Sequence, residues 1–449
     1  MRQRILLLAS RFLEKAVMFL FFVVLARSFG PESFGEFSYL FALAALVFVI
    51  VDNGGDLYQI PLLARYGSSR SLFGKLFLIK TFLFLLVLLL VSLLHLDGKI
   101  YYLLASFYLE SLISLGRSLL YHEKRFVRES LYHSAEKTIL LVLMLIAGVW
   151  IKQLILMYLA FSLAKLVYIS LLLPRIADLA RNQKSPAVRV LIQGSWSYVL
   201  HAVLIVSMLQ LDIVLLKYLG APYEQIALYS AAMRIIMALI VIPQTLFNLY
   251  YPDVSRFMSQ SRNDALKQVI EENRAIEWGG GMLLMFTIAL VSPELIHFMY
   301  GVEFQESARI LLMLSPLILL RFTKYTDSAI ISASDYNRWK LYTTLVVAVG
   351  NICLNLVLIP SMGIYGAVTA ILLSDLGLWL GFRFCSRKIN AAARPAQQDF
   401  LVIVAAGTAV FMIYMWLHGE LWLRLILLLM MWLGALRYMA PIYSRVLRK

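Results

Sequence analysis

Long apolar runs, each near the length of a membrane crossing, alternate with short polar joints along almost the whole chain. A helix needs roughly 20 mostly apolar residues to span about 30 Å of hydrocarbon. Residues 76–94, 139–150, 154–173, 341–359 and 401–417 are the purest runs. Residues 12–28, 36–51, 101–120, 191–216, 227–249, 278–299, 308–332, 363–381 and 421–436 fill the intervals with more polar interruptions. This pattern predicts an all-α polytopic membrane protein with about 14 transmembrane helices. The longest polar stretch, residues 255–277, is too short to build a core of its own, so no extramembrane domain is expected.

A passage near the start recurs about 190 residues later. Leu25 opens LARSFGPESFGEFSYLF, and Leu216 opens LKYLGAPYEQIALYSAAM. In each copy an apolar run ends in Gly (Gly30, Gly220), a Pro-containing turn follows (Pro31, Pro222), and a new run opens on an aromatic and a Ser (Phe37-Ser38, Tyr229-Ser230). Corresponding helix–turn–helix units suggest two six-helix lobes related as a parallel pseudo-repeat, the layout of many transporters. The expected division is an N-lobe at 1–174 (spans 1–6), a cytoplasmic inter-lobe loop at 175–190 and a C-lobe at 191–386 (spans 7–12). Residues 387–449 would hold a C-terminal helix pair and a basic tail.

Composition agrees with the membrane reading: 61% of residues are hydrophobic and only 15% charged, with a mean hydropathy of +0.80. A soluble chain carries about 25% charged residues. Cations fall in alternate joints, including Arg65, Arg70 and Lys75; Lys124, Arg125 and Arg128; Arg256, Arg262, Lys267 and Arg274; and Arg383, Arg387, Lys388 and Arg394. The other joints hold little beyond Arg27, Lys99, Lys152 and Lys217. The positive-inside rule then places both termini in the cytoplasm. The net charge of +15 follows from this topology and from anionic inner-leaflet lipid, and calls for no nucleic-acid partner. Cys353 and Cys385 read as buried small residues rather than a disulfide or metal framework. The six His residues show no metal-ligand spacing, and Gly279-Gly280-Gly281 lacks the Lys-Ser/Thr of a phosphate-binding loop. No carboxylate pair or nucleophile–base arrangement suggests catalysis.

Ionisable groups inside spans cost about 2.5–3.5 kcal/mol at a helix centre, so they mark candidate sites. Arg11 and Lys15 share a face of the first span, beside Glu14. Arg321 and Lys324 lie one turn apart in the tenth span, followed by Asp327. Asp212 and Arg234 stand at similar depths on either side of the Gly220 turn, where a salt bridge would let both be tolerated. A structural pin and a role in binding or gating both remain open for that pair. Lys165 and Asp375 occupy matching positions in the sixth and twelfth spans and are candidates for cross-lobe ion pairing. Arg11, Lys15, Arg321, Lys324 and Arg234 are the expected anion-binding set; Asp212, Arg234, Lys165 and Asp375 are the expected gating or ion-pair set.

Four passages resemble the polysaccharide (oligosaccharide) flippases of the multidrug/oligosaccharidyl-lipid/polysaccharide exporter superfamily. They are LARSFGPESFGEFSYLFALAAL, LDIVLLKYLGAPYEQIALYSAAMRI, YGVEFQESARILLMLSPL and NICLNLVLIPSMGIYGAVTAILLSD. The second includes Asp212, Tyr229, Ala232 and Arg234; the last includes Asn355, Pro360, Gly363 and Gly366. The resemblance implies two lobes around a cavity that opens alternately to either face. The implied cargo is a lipid-linked, O-antigen-type oligosaccharide, usually on undecaprenyl diphosphate, moved from the inner to the outer leaflet of the cell inner membrane for lipopolysaccharide biosynthesis. Arg and Lys suit the diphosphate of such a cargo. No cofactor is implied beyond possible coupling to H⁺ or Na⁺. Expected partners are the cargo, membrane lipids and, in the pathway, a polymerase and glycosyltransferases; a monomer is expected. A cation-coupled multidrug exporter and a lipid II flippase are the nearest alternatives. A polymerase or glycosyltransferase fits less well, because it would need a long outside loop or a soluble catalytic domain.

Overall fold

A computed structural model describes residues 2–179 and 185–389. The expected helix pair at 401–417 and 421–436 lies outside the described residues. Within them the elements are α1 (Arg2–Asp52), α2 (Gly55–Tyr66), α3 (Arg70–Leu93), α4 (Ile100–His122), α5 (Phe126–Leu145) and α6 (Leu154–Ala177). There follow α7 (Val188–Tyr218), α8 (Tyr223–Leu239), α9 (Val241–Ser259), α10 (Asn263–Tyr300), α11 (Glu306–Thr323), α12 (Tyr325–Ser332), α13 (Asn337–Met362) and α14 (Ile364–Ile389). No strand occurs among the described residues.

Ten described stretches are long and apolar enough to cross a membrane. The first, Ser10–Tyr66, is 57 residues long, or about 85 Å at 1.5 Å per residue, far more than one crossing. It is divided at Gly30, whose φ of 75° and ψ of 179° interrupt the helix just before Pro31. The second copy of this turn is built differently. Gly220 adopts φ 93°, its N–H bonds Lys217 O, and Ala221 N–H bonds Leu216 O. This double bond closes α7 as a Schellman motif, and Pro222 then opens α8. The two turns touch: a Cβ on Gly35 would lie 1.8 Å from the Tyr223 carbonyl oxygen, so only glycine permits this approach.

The polar stretch expected at 255–277 is helical. α9 ends at Ser259 and α10 begins at Asn263; at 38 residues α10 is about 57 Å long and overruns a bilayer core. A length that the sequence suggests is loop is thus helix beyond the apolar zone.

The chain divides into two compact units, Met1–Ala227 and Leu228–Lys449. In the first, an aromatic cluster of Phe21, Phe22, Phe34, Phe37, Phe41, Tyr158 and Phe161 joins both arms of α1 to α6, with rings 4.9–6.3 Å apart. Between membrane helices such packing replaces the hydrophobic driving force. α7, expected in the second lobe, packs within the first unit. The Tyr58 hydroxyl donates to Leu191 O at 2.7 Å, and Ser195 Oγ donates to Asn53 Oδ1 at 2.6 Å. In the second unit the α13–α14 hairpin closes on Gly366, where a Cβ would meet Leu358 O at 2.3 Å. Gly281 does the same for α10 and α11, with Phe322 Cβ 3.0 Å away, which explains part of the triple glycine.

Candidate functional site

Each unit carries a buried charge network. In the second unit, Arg321 on α11 donates through Nε and Nη2 to Asp375 Oδ2 at 3.1 and 2.9 Å. Lys324, at the break between α11 and α12, donates to Asp375 Oδ1 at 2.8 Å. Arg321 is only 5% exposed, and its Nη1 contacts Met237 Sδ, a weak acceptor, at 3.5 Å. One turn on, Asp327 accepts from Arg274 of α10 at 3.1 Å, from Arg383 of α14 at 2.8 Å and from Ser386 at 2.7 Å. Lysine and arginine precede aspartate on α11–α12, while aspartate precedes arginine on α14, so the two chains of charge match in register. Counting Glu277, four cations (Arg274, Arg321, Lys324, Arg383) face three carboxylates (Asp327, Asp375, Glu277). The surplus positive charge lies in a place shielded from water, where it acts at low dielectric.

The buried network of the first unit is balanced. Lys165 of α6 lies 3.3 Å from Glu110 of α4 and donates to Ser106 O and Oγ at 3.0 Å. Glu110 also takes Arg117 at 3.1 Å, and Arg117 reaches Asp56 of α2 at 3.1 Å. Beyond it, Glu129 of α5 accepts from Arg11 at 3.0 Å. Arg11 further donates to Tyr121 Oη at 2.7 Å and Glu14 at 3.3 Å; His133 lies 3.1 Å from Glu14. Lys15, more than half exposed, stands 3.7 Å from Glu14 at the edge. Lys80 makes a separate pair with Asp52 at 2.7 Å.

The structure therefore joins Arg321, Lys324 and Asp375 into one cluster, and places Arg11 and Lys15 at the rim of another. Lys165 and Asp375, expected as cross-lobe partners, each have counter-charges inside their own unit, because burial demands a partner within hydrogen-bond reach. Asp212 is buried on α7 in the first unit, and Arg234 is half-buried on α8 in the second. Asp327 serves Arg274 and Arg383, two cations that the sequence reading assigns to loops; both are helical, and Arg383 is buried. Glu110, Arg117, Glu129, Glu136, Lys137 and Glu277 are missed in the sequence. One signal existed: Ser106, Glu110, Ser114, Arg117, Ser118 and Tyr121 form a polar stripe at helical spacing through α4. Among the described residues no group of three His, Cys, Asp or Glu side chains could hold a metal ion.

Known proteins agree with this architecture. The inward closed conformation of the lipid II flippase MurJ shares the fold, with a TM-score of 0.73 and 16% identity over 99% of this chain and 100% of that one. An inward-facing multidrug resistance MATE family transporter of the MOP superfamily matches with a TM-score of 0.67 and 15% identity, over 84% of this chain and 95% of that one. In sequence, the probable low-salt glycan biosynthesis flippase Agl15 of Haloferax volcanii is 25% identical over 155 residues. That match spans 34% of this chain and about a third, 32%, of the relative's length. A family model described as polysaccharide biosynthesis protein matches residues 1–258. That span is more than half of a multi-pass, all-helical chain, which thus belongs to the polysaccharide biosynthesis protein family.

Proposed function

We propose that this protein is a flippase that carries a lipid-linked oligosaccharide, on undecaprenyl diphosphate, from the inner to the outer leaflet of the cytoplasmic membrane by alternating access. Both termini face the cytoplasm, the protein works as a monomer, and its cargo is a surface-polysaccharide precursor of the O-antigen type. The carrying observation is the surplus cation at Arg321 and Lys324, which share the single carboxylate of Asp375. A diphosphate offers several charged oxygens, and a guanidinium with spare N–H groups beside an ammonium is suited to it. Arg11 and Lys15 form a second, more accessible cationic rim. The chain moves its cargo and makes no covalent change to it, so enzymes that build and polymerise the saccharide act before and after it.

The test is reconstitution in proteoliposomes with a fluorescent undecaprenyl-diphosphate oligosaccharide, its flipping read by quencher accessibility. Movement of the labelled lipid that stops in Arg321→Ala, while the variant still inserts, supports the reading. Export of lipophilic cations in place of the lipid would overturn it in favour of a drug exporter. The whole-chain likeness to a lipid II flippase fold makes lipid II the second cargo to test, by competition.

A further inference from the structure

Three helix ends meet at one edge of the first unit: the end of α2, the start of α3 and the start of α7. Tyr58, Leu62, Leu72, Leu76 and Leu191 form one buried cluster there. Beside it Ser71 Oγ and Ser185 Oγ lie 2.8 Å apart, and Lys75 Nζ donates to Pro186 O at 2.9 Å. This edge carries Arg65, Arg70, Lys75 and Arg189, and all three arginines are exposed. No Asp or Glu occurs in residues 57–96 or 179–211, which supply most of the edge. Among the described residues none of the four cations has a carboxylate partner. Lys75 turns to the Ser185 and Pro186 carbonyls, and Arg65 lies over the Tyr66 ring.

Charge at another polar joint is arranged differently. Around the α9–α10 joint, Arg256, Arg262 and Lys267 are interleaved with Asp253, Asp264, Glu271 and Glu272. Arg256 pairs with Asp253 at 3.0 Å and Lys267 with Glu271 at 4.0 Å. The α2–α3–α7 edge lacks that balance, and two of its cations work against their own helices. Arg70 is the first residue of α3 and Arg189 the second of α7, and neither helix has an acid in its first turn. A cation at the positive end of a helix dipole is unfavourable unless an anion sits beside it. Further along the same helices the surface is apolar. Ile192 and Trp196 follow Arg189 on one face of α7, and Phe77 and Leu78 follow Arg70 and Lys75 on α3; all four are exposed. Trp196 stands about 10 Å from Arg189 along the helix. Exposed cations above an exposed apolar wall match a ligand with an anionic head and acyl chains. A soluble phosphate or an acidic peptide would leave the wall unused.

We infer that Arg65, Arg70, Lys75 and Arg189 bind the phosphate headgroup of an acidic phospholipid of the bilayer, whose acyl chains lie along α3 and α7. This lipid resides on the protein surface and is not the cargo, so the site does not depend on which lipid is transported. It reinforces the hold of Lys75 on Ser185 and Pro186, and acidic lipid thereby fastens the start of α7 to α3.

The test uses the full chain, stripped of lipid in a mild detergent, and follows thermal unfolding as dioleoylphosphatidylglycerol is added to the micelles. The unfolding temperature should rise saturably. Dioleoylphosphatidylcholine has the same chains and no net charge, and glycerol phosphate has the anionic head and no chains; each should leave the temperature unchanged. In the double variant Arg70→Gln, Arg189→Gln the apparent affinity should fall roughly tenfold. The control pair Arg256→Gln, Lys267→Gln removes equal charge near the α9–α10 joint and should respond like the parent. Without lipid, the Arg70→Gln, Arg189→Gln protein should unfold no lower than the parent, because cations have been taken from two helix starts. No response to phosphatidylglycerol, or an equal response to phosphatidylcholine or glycerol phosphate, overturns the proposal. So does an unweakened response in the Arg70→Gln, Arg189→Gln protein, its unfolding below the parent without lipid, or an equal loss in the control pair. Flipping is not read in this experiment, so its outcome and that of the flippase test are separate.

Discussion

Among the described residues, Asp375 is the only carboxylate bonded to Arg321 and Lys324, and removing it should be far more damaging than removing either cation. Cations held on the two oxygens of one carboxylate lie on the order of 5 Å apart, where unit charges at an effective dielectric of 20 repel by about 3 kcal/mol. In Asp375→Asn that repulsion remains, while both attractions fall to neutral hydrogen bonds. Deleting one partner of a buried ion pair costs about 3–5 kcal/mol, and this range applies because Arg321 and Asp375 are both nearly inaccessible. Lys324→Met has the opposite balance. It leaves a forked Arg321–Asp375 pair that is neutral as a unit, so its cost should stay below about 1 kcal/mol. The same variant loses the surplus charge, and flipping of the diphosphate lipid should fall at least tenfold. Stability can be read by titrating the purified protein from a mild detergent into dodecyl sulfate. An Asp375→Asn variant within about 1 kcal/mol of the parent would refute the assignment of Asp375 as the shared counter-charge. So would a Lys324→Met variant that is the less stable of the two.

Arg117 serves Glu110 and Asp56 and lies 3.8 Å from Glu129, so Arg117→Met should destabilise by about 3–5 kcal/mol, seen as loss of monodisperse protein on gel filtration, with Arg117→Lys intermediate. Gly366→Ala presses a Cβ onto the Leu358 carbonyl and should cost about 1–3 kcal/mol in the same detergent titration. Gly220→Ala has open space around it, and its cost of about 1–2 kcal/mol comes only from the left-handed backbone. Gly35→Ala should part the turn after Gly30 from the start of α8. In a background without Cys353 and Cys385, cross-linking between cysteines placed at Glu36 and Tyr223 should then fall.

Hydropathy made the crossings legible because lipid imposes one length and one polarity on every spanning helix. The turns at Gly30 and Gly220 were legible for a local reason: glycine followed closely by proline marks a stop and a start. Their different geometries were not, since identical signals serve a one-residue kink in α1 and a full Schellman closure of α7. Arg321 and Lys324 stood out as cations in an apolar run. Their partner was visible as Asp375, but the sequence could not tell a partner in the same unit from one across the molecule. Arg274 and Arg383 were hidden by the positive-inside rule itself, which counts cations near helix ends as loop charge whichever way they point. The hub at Arg117 was obscured because α4 is amphipathic around serines. Such small polar residues look neutral in hydropathy, although Ser114 and Ser118 both donate to Asp56.

Two of the buried bridges, one in each unit, have opposite polarity. In the first unit the acid is on the fourth helix and the base on the sixth, Glu110 with Lys165; in the second the bases are on α11 and at its end, and the acid is on α14. This inversion bears on biogenesis. Helices of nearly equal length and greasiness leave the insertion machinery one after another, and each must find its mate among look-alikes. A fourth helix that docked on α14 would set Glu110 against Asp375, and an α11 that docked on α6 would set Arg321 against Lys165. Like charges in lipid repel with little screening, so these two contacts cost more than the native ones. At these two positions the sign of the bridge favours the partner within the same unit.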